Sequence, residues 1–126
     1  MRKAIPWVRV AFGVELVVFS AMPLFGWEPP EAPPAGQAFQ SAILDSYVAT
    51  LIQLVYLGAG LAYLANRYVA LATVVLLPVA LNIVLFHIFL FQETLPLTLS
   101  IAVPAAVMVW ASWDAYRPLL MARLPD

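Results

Sequence analysis

The chain has 126 residues, of which 64% are hydrophobic and only 10% are Asp, Glu, Lys or Arg, against roughly a quarter charged in a soluble domain. A chain this short leaves a large share of its residues at the surface, so no soluble fold hides that much apolar area. The formal charge of −1 gives no net pull toward nucleic-acid phosphate. With no cysteine, disulfides, thiol redox chemistry and cysteine-held metal clusters are excluded too.

Residues 5–27 form the first predicted span, basic at its start (Arg2, Lys3, Arg9) and interrupted near its middle by Glu15. A signal peptide shares the basic start and apolar run. Glu15 breaks that run, however, and no small-x-small cleavage site precedes Pro23, so the segment reads as a retained helix. The stretch 28–34, EPPEAPP, is expected to be extended, because proline fixes φ and carries no N–H. In 37–43, Phe39 and Ile43 are four apart, with Gln37, Gln40 and Ser41 on other sides. That pattern predicts a short amphipathic helix on the outer membrane surface.

Residues 46–66, 68–91 and about 94–114 supply three further apolar stretches, each near the ~20 residues needed to cross the hydrocarbon core. Open sheets cannot span a bilayer, since their edge amides and carbonyls stay unpaired in lipid. The predicted fold is therefore an all-α membrane protein, a single domain over residues 1–126: a four-transmembrane-helix antiparallel bundle with a Pro-rich outer loop and a short interfacial helix between its first two spans. Asn66-Arg67 and Gln92-Glu93 are near-minimal turns, which makes antiparallel hairpins of the later spans. With both termini placed in the cytoplasm, all six Lys/Arg lie inside. Glu28, Glu31, Asp45 and Glu93 then lie outside, as the positive-inside rule requires. Trp7, Tyr63, Tyr68, Trp110, Trp113 and Tyr116 gather at inner ends, and Trp27 and Tyr47 at outer ends, as aromatic belts. The expected location is a bacterial-type inner membrane.

Polar residues inside spans are costly and are read one by one. At ~1.5 Å per residue, Glu15 lies roughly 15 Å from the inner end and Gln53, Asn82 and Ser100 roughly 20 Å from it. Each span thus carries a polar residue near mid-depth. Either they hydrogen-bond between helices, or they line a polar cavity for a headgroup, an ion or a proton. Glu15 has no Lys or Arg at its depth, so it is expected to be protonated or hydrogen-bonded to Gln53 or Asn82. On the second span, Ser46, Ala49, Thr50, Gln53, Tyr56, Gly60 and Tyr63 form a small-and-polar face that must meet protein, with Gly58 and Ala62 as a small-xxx-small pair for close approach. Thr94, Thr98, Ala102, Ala105 and Ser112 make a comparable stripe on the fourth. Pro78 and Pro104 lie inside spans, and each frees a carbonyl one turn earlier. His87, the single histidine, sits near the outer end of its helix at the level of Tyr47, about 140° round from Asn82, so the two are not expected to be central on one face. It has no partners for a metal, but a neutral imidazole both donates and accepts to a headgroup. No nucleotide, zinc-protease or serine-hydrolase motif is present, and no nucleophile–base–acid set suggests independent catalysis.

The runs 56–72, YLGAGLAYLANRYVALA, and 77–90, LPVALNIVLFHIFL, resemble the DoxX-like family of small membrane proteins. Pro78, Asn82, Ile83, Phe86, His87, Phe89 and Leu90 match its "P…N-I-x-x-F-H-x-F-L" pattern, and Phe39 with 42–47 resembles its segment before the second span. Where the family often has Gly-x-x-Lys, this chain has Ser20-Ala-Met-Pro23. The resemblance implies a four-helix bundle associated with membrane redox assemblies, with Asn82 and His87 lining a site in its outer half.

The leading expectation is an accessory subunit without independent catalysis. It would hold a quinone or lipid through His87, Asn82, Glu15, Gln53, Tyr47 and Tyr56. The bilayer, a membrane or soluble redox protein and further copies of the chain are the partners it allows. Two alternatives compete: a small proton-coupled transporter using Glu15, and a scaffold that docks soluble proteins.

Overall fold

The computed structural model describes residues 2–123, and among these every regular element is helical. Four helices are long and apolar enough to cross a membrane: α1 (Ile5–Ala21, prolonged by 3-10 turns on both sides), α3 (Tyr47–Ala65), α4 (Val69–Phe89) and α5 (Leu95–Ala111). Between α1 and α3 lies α2 (Pro34–Leu44), and α5 is followed by the single turn α6 (Trp113–Tyr116).

Side-chain distribution is inverted relative to a soluble bundle. Leu51, Leu54, Leu57, Leu61 and Leu64 of α3 face outward, as do Val10, Val14 and Val18 of α1 and Leu71, Leu81 and Leu85 of α4. The buried positions of α3 are instead Tyr56, Ala59, Gly60 and Tyr63. Water would penalise such an apolar exterior, whereas lipid tails are as apolar as leucine and leave close packing of small residues to hold the helices together. The small-and-polar face expected on α3 is the buried one, except that Ser46 and Thr50 are exposed.

The closest helix pair is α1 with α3, which run antiparallel. Its crossing point is Gly13 against Gly60. A Cβ on Gly60 would stand 2.8 Å from Val17 Cγ2 and 2.9 Å from the Gly13 carbonyl oxygen. The expected contact pair Gly58 and Ala62 is not the crossing point: nothing lies within 4 Å of a Cβ on Gly58, which instead lines a shallow apolar groove with Leu54 and Leu71. The 3.6-residue period puts Gly58 and Gly60 about 200° apart, so only one of them can face α1.

One end of the bundle is tied by hydrogen bonds. Arg9 of α1 donates to the carbonyl of Tyr63 in the last turn of α3, where a cation also meets the negative end of the helix dipole. The Tyr63 hydroxyl donates to Thr73 Oγ1 (2.7 Å), whose own proton goes to the Val69 carbonyl (2.8 Å). Tyr116 donates to the carbonyl of Ala70 at 2.8 Å. Tyr63 and Tyr116, expected in an aromatic belt, are thus buried struts, while Trp7, Tyr68, Trp110 and Trp113 remain exposed around them. The turn from α3 to α4 places both Asn66 (φ 53°) and Tyr68 (φ 56°) in the left-handed region, which lets two antiparallel helices join across three residues. We call this the basic end and the opposite one the loop end.

At the loop end the extended segment stops one residue earlier than expected: Pro34 is the first residue of α2. Proline suits that position, because its fixed φ is helical and its missing N–H has no partner there. Two glutamines of α2 tie the extended segment down. Gln40 Oε1 accepts from the Ala32 amide (2.9 Å) while its Nε2 donates to the Pro30 carbonyl (2.8 Å), and Gln37 Nε2 donates to the Ala32 carbonyl (3.2 Å). Helix α2 lies across the bundle end. Gly36 packs on the Leu90 backbone, and the Phe39 ring stacks on Phe86 with centroids 5.5 Å apart. The Phe39–Ile43 side, expected on the membrane surface, therefore faces the bundle.

Candidate functional site

The basic half of the bundle is filled. Phe12, Leu16, Tyr63, Leu76 and Met108 are all at most 1% exposed and pack around one axis. The loop half is hollow. It encloses a cavity of about 500 Å³ walled by all four long helices and roofed by α2 and Trp27. The lining is mostly apolar, from Phe19 of α1, Ile52 of α3, Ile83 and Phe86 of α4 and Ile101 of α5. A concave apolar site with a few placed polar groups is the general form of a small-molecule pocket.

Three of the four long helices contribute polar groups. Gln53 and Tyr56 project from α3, Asn82 and His87 from α4, and Thr98 from α5. On α3, Ala49, Gln53 and Tyr56 share one helical face by their four- and three-residue spacing. Thr98 is the sharpest feature. Its side chain is 2% exposed, and Oγ1 is the one fully buried side-chain polar atom without a hydrogen-bond partner among the described residues. An orphan hydroxyl costs about 1–3 kcal/mol, so its presence on a cavity wall asks for a partner that the protein does not provide.

Of the expected site residues, the structure brings Gln53, Tyr56, Asn82 and His87 to this one cavity. It does so although Asn82 and His87 diverge on α4, because the cavity is wide enough to be bounded at both azimuths. His87 is only partly free: its Nδ1 pairs with Thr94 Oγ1 at 2.5 Å, in the turn that joins α4 to α5. Phe86 and Phe91 enclose the imidazole, with centroid distances of 5.3 and 5.9 Å. One ring nitrogen is thus held by the fold.

Two expected site residues fall outside. Tyr47 is 79% exposed at the first turn of α3 and belongs with the outward aromatic residues. Glu15 is not on the cavity wall, and its hydrogen bond goes to neither Gln53 nor Asn82. Ser100 Oγ lies 2.8 Å from Glu15 Oε1 and 2.6 Å from the Leu97 carbonyl, which places the carboxyl in the seam between α1 and α5. Leu97 and Ile101, the neighbours of Ser100, do line the cavity, so Glu15 sits behind its wall. Sequence reasoning did not single out Thr98 as a site residue. The signal for it was the stripe from Thr94 to Ala105, which marks a face toward protein but not a void behind that face.

The fold and this site define an all-helical bundle of four apolar helices, hollow at one end and lined there by uncharged polar groups. Comparison with protein-family models, with curated proteins and with solved structures finds no match to the chain.

Proposed function

We propose that this chain is an integral membrane subunit that binds a quinone or lipid in the cavity of its loop half. We further propose that it serves a membrane redox assembly as an accessory component without catalysis of its own. One observation carries the binding reading: the orphan Thr98 hydroxyl on the wall of a cavity of about 500 Å³. A ligand head would supply the missing hydrogen bond, and Gln53, Tyr56 and Asn82 line the same cavity from α3 and α4. The redox association rests on the resemblance of 56–72 and 77–90 to DoxX-like proteins. The orientation proposed is both termini in the cytoplasm of a bacterial-type inner membrane, since the Lys/Arg side chains lie on the inner side in that arrangement. Transport through Glu15 is less favoured, because the carboxyl lies behind the cavity wall and is engaged by Ser100.

The test is to purify the full chain in mild detergent and identify by mass spectrometry what leaves with it. A quinone or lipid retained in near-stoichiometric amount, and depleted in Thr98→Val combined with Gln53→Leu, is the expected result. Equal lipid content in wild type and variant would overturn the binding reading.

A further inference from the structure

The walls of the cavity carry no Asp, Glu, Lys or Arg. Five of the six cations, Arg2, Lys3, Arg9, Arg67 and Arg117, lie at the far end, while Glu28, Glu31, Asp45 and Glu93 surround the loop end. An anionic head placed there would lose its hydration, find no cation and meet acidic neighbours. A cationic head would find no carboxylate on the wall. Yet Gln53, Tyr56, Asn82 and Thr98 can each donate a hydrogen bond, and an uncharged oxygen acceptor satisfies such donors without any ion pair.

Asn82 adds a second observation. It lines the cavity and is itself exposed, roughly 20 Å along α4 from Val69 and so well inside the span. A carboxamide facing hydrocarbon is costly and calls for a reason. At the roof, Gln37 and Gln40 tie the extended segment to α2. An opening beside Asn82 would be lateral, at bilayer depth.

We propose that the cavity takes an uncharged amphiphile, a carbonyl-bearing head on a hydrocarbon tail, which enters sideways from the bilayer past Asn82 and is anchored by Thr98. This rests on the binding reading above and narrows it to neutral heads. An isoprenoid quinone and a neutral glycerolipid share this chemistry.

Trp27 on the cavity roof provides the reporter. Trp7, Trp110 and Trp113 are exposed at the basic end and are replaced by phenylalanine. The full chain in detergent is then titrated with a decyl-tailed benzoquinone, with diacylglycerol brominated in its acyl chains, and with phosphatidylglycerol brominated likewise. Saturable quenching by a neutral probe and none by the anionic lipid is expected. The neutral probe that binds more tightly names the source, and either result upholds the proposal. Thr98→Val should raise the half-saturating concentration about fivefold, the worth of one neutral hydrogen bond. Asn82→Phe should slow both association and dissociation by about tenfold. Saturable quenching by the phosphatidylglycerol at the same concentration would overturn the neutral head while leaving the binding reading standing. Saturable quenching by no probe would remove the binding reading itself. Thr98→Val that titrates as wild type would overturn the anchor, and unchanged rates in Asn82→Phe would overturn the lateral route. Gln53→Leu, which keeps the hydroxyl of Thr98, should weaken binding by a similar factor and guards against a folding defect peculiar to one variant.

Discussion

Ser100 has one hydroxyl proton and two acceptors within reach, the Leu97 carbonyl and the Glu15 carboxyl. Ser100 can share that proton between them in a three-centre bond, and two full bonds form when Glu15 is itself protonated and donates to Ser100 Oγ while Ser100 donates to Leu97. With an ionised Glu15, the two acceptors would compete for one proton, and a charge would be left in the α1–α5 seam with no cation beside it. The expected outcome is an infrared carbonyl band of a protonated carboxylic acid at neutral pH, lost in Glu15→Gln and displaced in Ser100→Ala. A spectrum with only carboxylate bands would contradict this. Thr98 makes the complementary case at the same scale. Removing its hydroxyl in Thr98→Val keeps the shape and deletes an unpaired polar group, so the empty protein should gain about 1 kcal/mol of stability. A rise in the midpoint of thermal unfolding without ligand checks it. That residue is thus expected to weaken the empty protein and to hold the ligand.

Among the elements, the α1–α3 pair decides the architecture, and it does so through two glycines. Gly60→Ala puts a methyl 2.8 Å from Val17 Cγ2 and 2.9 Å from the Gly13 carbonyl. Backbone carbonyls cannot step aside as a flexible side chain can, so the helices must separate. The expected loss is about 1–3 kcal/mol, measured by denaturant titration in detergent. Gly58→Ala, two residues away, meets nothing within 4 Å and should be neutral or slightly stabilising, since alanine favours a helix over glycine by up to about 1 kcal/mol. Equal effects at the two positions would refute the crossing point. The sequence marked this face of α3 through its spacing of Ala49, Gln53, Tyr56, Gly60 and Tyr63. It left open which glycine touches α1, because that depends on where along its length the partner helix crosses. The same holds for α2. Its amphipathic spacing was legible, but whether Phe39 met the membrane or Phe86 was set by the fold, since either surface would bury the ring.

For the whole molecule, the prediction concerns sidedness. The chain has no cysteine, so single cysteines can be introduced as unambiguous labels. With the basic end inside, Glu31→Cys in the Pro-rich segment should react with a membrane-impermeant maleimide in intact cells. Lys3→Cys and Arg67→Cys should react only after the membrane is opened. Labelling of Lys3→Cys in intact cells would reverse the orientation.

Composition and apolar run length by themselves determined that the chain forms four helices fit to cross a bilayer, because hydrocarbon admits only backbone that satisfies its own hydrogen bonds. Charge placement gave the basic and acidic ends, and helical spacing showed which side chains face protein. Only the tertiary structure decided that Gln53, Tyr56, Asn82, His87 and Thr98 surround one void, that Tyr47 stands apart, and that Glu15 pairs with Ser100 behind the wall. The physical reason is that a period of 3.6 residues sets directions around a helix. Whether the space in that direction is filled, as it is by Tyr63 and Met108, or left hollow, as it is beside Thr98, depends on side chains from three other helices that are far apart in the sequence.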